Sequence, residues 1–320
     1  MHTRHLTFTG AVAAGLASGT WIAYRRDINA ARHRTEANRQ LIDSRHGAIE
    51  FAESGNGAAA LVVHGAGGGF DQGLLLGRVL LGDGCRIIAP SRFGYLGTPM
   101  AGDASPQAQS EAHLRLLDAL RLDRVAVVGV SAGAPSAMQL AIRHADRCSA
   151  LVLVVPLAYA PNGRTAIPLR RPLVEAMVAS DFAFWLATKF AHSALVHKLL
   201  GTPIEVYRKA TRAERRAVDE VLTIMLPISK RIDGIRNDAV VASTLTRFAL
   251  EEIRTPTLLI GAADCGYGTY EGCVYTARQI RDARLIAFAT GGHLLTGHED
   301  EVRVQIARFL SETGGAREAA

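Results

Sequence analysis

From Gly47 onward the chain alternates short apolar runs with stretches of helical spacing, a pattern that few folds can satisfy. Ala59–Val63, Cys85–Ala89, Val125–Gly129, Leu151–Val155, Thr257–Ile260 and Arg284–Phe288 read as strands, and Ala48–Ala52 alternates apolar with polar residues. Gln109–Leu122, Ala132–His144, Tyr270–Arg281 and His298–Leu310 read as helices. A strand that is apolar on both faces must be covered on both. The order therefore predicts a mostly parallel sheet flanked by helices. A chain of 320 residues has ample core material and needs no disulfide or metal to fold.

The alternation breaks between Leu157 and Leu250. Pro156, Pro161, Pro168 and Pro172 punctuate the start of this segment, and the remainder is helical and basic. It reads as an insertion (157–250) between two strands of one sheet. Within Asp181–Leu200, Phe182, Trp185, Phe190 and Leu195 recur at helical spacing. Such a stripe can pack on the body of the protein. It can also serve as a lid, in which case Phe182, Trp185 and Phe190 are candidate substrate contacts.

The net charge of +6 is unevenly placed: residues 160–250 carry fourteen Lys or Arg against eight acids, and residues 1–50 carry seven against four. There is no basic run with interleaved aromatics, so nucleic acid is a poor partner. Cys85, Cys148, Cys265 and Cys273 form no C-x-x-C pair and have no His at zinc spacing, which argues against a metal site.

Leu6 to Tyr24 contains no charged residue and is long enough to span about 30 Å of hydrocarbon as a helix. Trp21 and Tyr24 sit where interfacial aromatics belong. The expectation is an uncleaved anchor over residues 6–24, followed by a basic helical stalk to residue 45. One Arg precedes the segment and five follow, which would leave the larger part in the cytoplasm. A cleaved signal peptide, implying export, and a helix lying on the protein body are the competing readings. Residues 312–320 read as a disordered tail.

The chemistry is concentrated in three places. Gly129-Val130-Ser131-Ala132-Gly133 lies between an apolar run and a helix, where G-x-S-x-G turns sharply and exposes the serine hydroxyl. A serine needs a base, and His293 in Gly291-Gly292-His293 follows the last apolar run. His298 suits a helix start better, and His64 suits the shaping of its own turn. A base needs a carboxylate: Asp264 lies just past Thr257–Ile260, whereas Asp282 belongs at the opposite sheet edge and no acid follows Leu151–Val155 until Glu175. His64-Gly65-Ala66-Gly67-Gly68-Gly69 follows a strand and frees backbone N–H groups. The main-chain N–H groups of Ala66 and Ala132 are the candidate oxyanion donors. The loop lacks the Lys-Ser/Thr of a P-loop and the G-x-G-x-x-G spacing of a dinucleotide site.

With these residues in order, the chain resembles the α/β-hydrolase superfamily over roughly residues 46–311, and in particular the bacterial serine hydrolases with a helical cap. The resemblance implies an eight-stranded, mostly parallel sheet, with the core in 46–156 and 251–311 and the cap between strands six and seven. It implies Ser131 as nucleophile, His293 as base, Asp264 as acid, and no cofactor. Pro90-Ser91-Arg92-Phe93-Gly94-Tyr95 departs from the Asp-x-x-Gly-x-Gly segment common in relatives. Cys265 directly follows the acid, with Cys273 eight residues on; they read as two ordinary small side chains, or as a disulfide beside the active site if the domain were exported.

The activity expected is hydrolysis of a carboxylic ester or related acyl bond of a small, apolar substrate through an acyl-enzyme. Carbon–carbon bond hydrolysis, perhydrolysis and lyase chemistry run on the same scaffold, and so does ligand binding without turnover.

Overall fold

The structure of the protein is a computed structural model that describes residues 2–161, 175 and 177–315. Eight strands form one sheet: β1 (Gln40–Ser44), β2 (Gly47–Ser54), β3 (Ala58–Val63), β4 (Cys85–Pro90), β5 (Val125–Val130), β6 (Cys148–Val154), β7 (Thr257–Ala262) and β8 (Ala283–Phe288). Their spatial order is β1-β2-β4-β3-β5-β6-β7-β8. β2 runs antiparallel to β1 and β4, and all the remaining pairs are parallel. The helices are α1 (His2–Glu36), α2 (Phe70–Leu81), α3 (Pro106–Ala119), α4 (Ala134–Arg143), α5 (Asp181–Phe190), α6 (Ile204–Lys209), α7 (Arg212–Ile224), α8 (Ile232–Thr244), α9 (Thr269–Gln279) and α10 (Glu299–Gly315).

β5 and β6 are buried along nearly their whole length, as their uninterrupted aliphatic sequences require. One core layer joins Leu61, Val127, Leu151 and Leu259 to Leu116 of α3 and Ala137, Met138 and Leu140 of α4. The other joins Val62, Val128, Val152 and Ile260 to Phe70 and Leu80 of α2 and Val302, Ile306 and Phe309 of α10. Gly73 and Gly77 of α2 let that helix sit close to the sheet. A Cβ on Gly73 would lie 2.8 Å from the Ala89 Cβ, and one on Gly77 would lie 2.6 Å from Ile87 Cγ2.

Helices α5 to α8 lie between β6 and β7, as expected of the insertion; Pro168 and Pro172 fall outside the described residues. Their core (Phe184, Trp185, Leu195, Val218, Leu222) also receives Tyr24, Ile28 and Ala31 from α1. Tyr24 meets Trp185 and Phe182 edge to face at 5.6 and 5.0 Å. The Trp185 indole N–H donates to Asp27, whose carboxylate also pairs with Lys189 at 3.3 Å. Arg34 of α1 and the fully buried Arg231 share the Asp71 carboxylate of α2. Three cations of the insertion, Lys189, Lys230 and Arg231, thus pair with carboxylates of α1 and the body.

This packing corrects the reading of the amino terminus. Among the described residues no helix is long and apolar enough to cross a membrane, so the anchor assigned to residues 6–24, and the membrane orientation drawn from it, are withdrawn. Ala, Gly and Thr dominate that run, and they give a transmembrane helix too little transfer energy. Residues 21–24 instead continue into the part of α1 that packs on the insertion. The stalk was also too long, because residues 40–44 form the edge strand β1. Similarly, α10 extends to Gly315 through residues read as tail.

Candidate active site

β5 ends at Val130 and the chain turns through a single 3-10 turn, Ser131–Gly133, directly into α4. Ser131 sits at φ 50°, in the left-handed region that non-glycine residues seldom occupy. The surrounding glycines are required by close approach. A Cβ on Gly133 would stand 2.5 Å from the Val63 carbonyl oxygen, and one on Gly129 would stand 2.7 Å from the Ala137 Cβ. Gly65 faces the serine itself, its hypothetical Cβ lying 3.2 Å from the Ser131 Cβ. The motif therefore wedges the serine between two loops and lifts its hydroxyl above the sheet edge.

His293 reaches that hydroxyl from the loop after β8, with Nε2 2.9 Å from Ser131 Oγ. Its ring is mostly buried, and Tyr267 packs edge-on against it at 4.7 Å. The Gly201 carbonyl of the insertion accepts from the main-chain N–H of both Gly266 (2.8 Å) and His293 (3.1 Å), tying the loops after β7 and β8 together. Gly292 must be glycine here: at φ 64°, its Cβ would lie 2.7 Å from the Thr202 Cα.

The position of Asp264 differs from the expectation. Its two carboxylate oxygens accept from the main-chain N–H groups of Gly291 (3.2 Å) and Gly292 (2.8 Å), and it makes no hydrogen bond with the imidazole. The atom opposite His293 Nδ1 is Cys265 Sγ, at 3.2 Å. The next side chain along the loop, and not the acid, meets the ring. Burial pushes the Cys265 thiol up, but the His293 hydrogen bond, the His293 charge and the Thr269 hydrogen bond outweigh it and bring the thiol down to about 6. Cys273 lacks such partners and burial pushes it up to about 12. Both cysteines are free thiols, so the bond considered between them is not formed. Asp282 is exposed in the turn before β8, far from this edge.

Ala66 and Ala132 line the cavity beside Ser131, together with Gly65. Among the described residues the Ala66 N–H has no hydrogen-bond partner, whereas Gly65 N–H donates to Gln72 and Gly67 N–H to the Tyr95 hydroxyl. His64 shapes this loop, as its position suggested. Nε2 accepts from the Arg92 N–H at 3.0 Å, so Nδ1 carries the proton donated to the Gly65 carbonyl at 2.7 Å. Burial holds its pKa well below the ordinary range, and it stays neutral.

Sequence reasoning missed the brace behind this loop. Arg92 pairs bidentately with Asp238 of α8 at 2.6 and 2.8 Å and donates to the His64 and Gly65 carbonyls. Tyr95 OH donates to Asp238 at 2.5 Å while accepting from Gly67. The unusual Pro90–Tyr95 segment carried half of that signal. Asp238 gave no signal in a helix of otherwise ordinary composition.

The remaining wall is mostly apolar, with Leu76, Val155, Leu157, Leu199, Leu200, Val221 and Leu294 beside the uncharged polar Gln72, Tyr267 and Thr269. Among the described residues no Lys, Arg, Asp or Glu lines the cavity. Phe182, Trp185 and Phe190, the expected substrate contacts, are not in this wall. Phe182 and Trp185 stack against α1, and Phe190 is 81% exposed. The aromatic stripe was real, but its partner is the amino-terminal helix.

Comparison with known proteins places the chain. The family model for the alpha/beta hydrolase fold matches residues 61–297. A 2-hydroxymuconate semialdehyde hydrolase of Pseudomonas putida is 32% identical over 130 residues, which cover 40% of this chain and 46% of that protein. The chain thus spans less than half the length of the curated relatives it matches. An alpha/beta hydrolase fold protein from Nakamurella multipartita superposes with a TM-score of 0.67 at 28% identity, covering 86% of this chain and 99% of that one. A meta-cleavage product hydrolase from Pseudomonas fluorescens shares the fold at a TM-score of 0.63 and 18% identity, over 85% of this chain and 97% of the other. Because the family match spans β3 through the loop that carries His293, and the sheet has the order described above, the chain belongs to the alpha/beta hydrolase fold family.

Proposed function

We propose that the protein is a serine hydrolase that cleaves a carboxylic ester or related acyl bond of a small, uncharged, apolar substrate. The observation that carries this reading is the 2.9 Å contact between Ser131 Oγ and His293 Nε2 at the floor of an apolar cavity. His293 takes the hydroxyl proton as Oγ attacks the carbonyl carbon. The carbonyl electron pair moves to oxygen, where the main-chain N–H groups of Ala66 and Ala132 receive it. The imidazolium returns its proton to the leaving group, and a water activated by the neutral ring then releases the acid. Asp264 holds the Gly291–Gly292 backbone and with it the height of the His293 loop.

The Pseudomonas putida relative, named as a hydrolase of 2-hydroxymuconate semialdehyde, favours carbon–carbon bond hydrolysis as a second reading. The cavity speaks for the first. A carboxylate-bearing substrate taken into it would meet no cationic side chain among the described residues and would lose its hydration without a partner.

A panel of p-nitrophenyl esters of increasing acyl length, run beside a vinylogous diketone acid, tests the choice. Turnover of medium-length neutral esters, abolished in Ser131→Ala, is expected. Turnover of the diketone acid alone would transfer the assignment to carbon–carbon cleavage.

A further inference from the structure

We propose that Cys265, and not the neighbouring carboxylate, is the residue that positions the His293 imidazole and faces its charge during proton transfer. This proposal rests on the reading of Ser131 and His293 as nucleophile and base. Three observations carry it. First, if Nε2 is to accept the Ser131 proton, Nδ1 must bear the other hydrogen, and the atom in front of it is Cys265 Sγ at 3.2 Å. Second, the two oxygens of Asp264 accept from the Gly291 and Gly292 N–H groups and make no hydrogen bond to the imidazole, so the carboxylate holds the loop while the ring faces sulfur. Third, the thiol is buried behind the imidazole with a second partner, Thr269 Oγ1, at 3.2 Å. Cys265 does not line the cavity, so its sulfur is no rival nucleophile for the substrate.

Other titratable groups around the pair leave it alone. Tyr267 lies edge-on to the ring and Cys273 approaches from α9; burial first, and then the Cys265 charge, push both up, so they remain protonated. Asp264 sits one residue back on its glycine N–H groups, and no Lys or Arg among the described residues faces the cavity. The pair therefore tunes itself. A sulfur carrying negative charge stabilises the imidazolium that forms as Ser131 attacks. No proton passes to sulfur in this step: the hydroxyl proton moves to Nε2, and Nδ1 keeps its own.

The test uses the full-length protein and a fluorophosphonate probe, with the second-order labelling rate followed against pH. Cys265→Ala is expected to slow labelling about 10²-fold and to move the acid limb of the profile to lower pH. Cys265→Asp is expected to restore the rate, because a carboxylate there can accept the Nδ1 hydrogen. Thiolate absorbance in the ultraviolet should titrate near neutrality in the wild type and vanish in Cys265→Ala. Asp264→Asn should slow labelling by loosening the loop while leaving the acid limb in place. A Cys265→Ala protein of unchanged melting temperature whose rate and limb match the wild type would overturn the proposal, and so would a limb that moves only in Asp264→Asn. Wild-type protein that is folded yet unlabelled would instead overturn the underlying serine-hydrolase reading, and the proposal with it.

Discussion

The chemistry of this chain turns on a few residues held where their own preferences would not put them. Ser131 at φ 50° costs of order 1–3 kcal/mol of local strain, maintained by the packing of β5 and α4 around it. The glycines on either side make that turn sterically possible. Gly133→Ala is expected to destabilise the fold by about 1–3 kcal/mol, because the added Cβ meets two main-chain oxygens that cannot yield, and to abolish probe labelling. Urea unfolding and labelling of the same sample check both halves. A second residue-scale expectation concerns pH. Burial first, then the Arg92 charge, bring His113 down to about 3, so the folded protein leaves it neutral where the unfolded chain takes up a proton. Stability should therefore fall as pH drops below about 6.5 and keep falling toward about 3, by about 1.4 kcal/mol per pH unit for each such histidine. His64 contributes in the same sense, so His113→Gln should reduce that slope without removing it; an unchanged slope would contradict the assignment. The G-x-S-x-G serine and the Gly-Gly-His loop were legible because their chemistry is written in contiguous residues. Whether Asp264 or Cys265 turns toward the ring was not legible, since adjacent side chains at a strand end diverge by a rotation that only the tertiary structure fixes.

At the scale of elements, α1 shows how one apolar stretch can support two readings. Length and lack of charge over Leu6–Tyr24 pointed to a bilayer, but the informative pattern lay further on. Tyr24, Ile28 and Ala31 recur at intervals of a single helical face and are all buried against the insertion. Reading past the first arginine would have found them. The strand β1 was hidden for a different reason: Gln40–Ser44 is a half-exposed edge with two aliphatic residues, too short to register as a period. Helix α2 escaped notice because glycines interrupt it, and those glycines are its contact surface with β4. The attachment of α1 and the insertion to the body depends on Asp71, where Arg34 and Arg231 converge. Asp71→Asn leaves the fully buried Arg231 guanidinium without its counter-charge and is expected to cost about 3–5 kcal/mol. Thermal unfolding would detect it; a loss no larger than that of a surface carboxylate would contradict this account of the junction.

For the molecule as a whole, the sheet was readable from its aliphatic runs, and the placement of the insertion from the break in their alternation. Its basic surplus was visible too, but its meaning was not. Lys189, Lys230 and Arg231 pair with Asp27, Glu36 and Asp71, so these three cations fasten the amino-terminal helix and the insertion to each other and to the body, while no charged side chain among the described residues lines the cavity. This assembly must deliver one activated hydroxyl to that cavity. Peptide mapping after reaction with a fluorophosphonate measures this most directly. The adduct is expected on Ser131 alone, and it should be lost in both Ser131→Ala and His293→Ala proteins that melt like the wild type. A folded wild-type protein that forms no adduct, or forms it at another residue, would contradict the account.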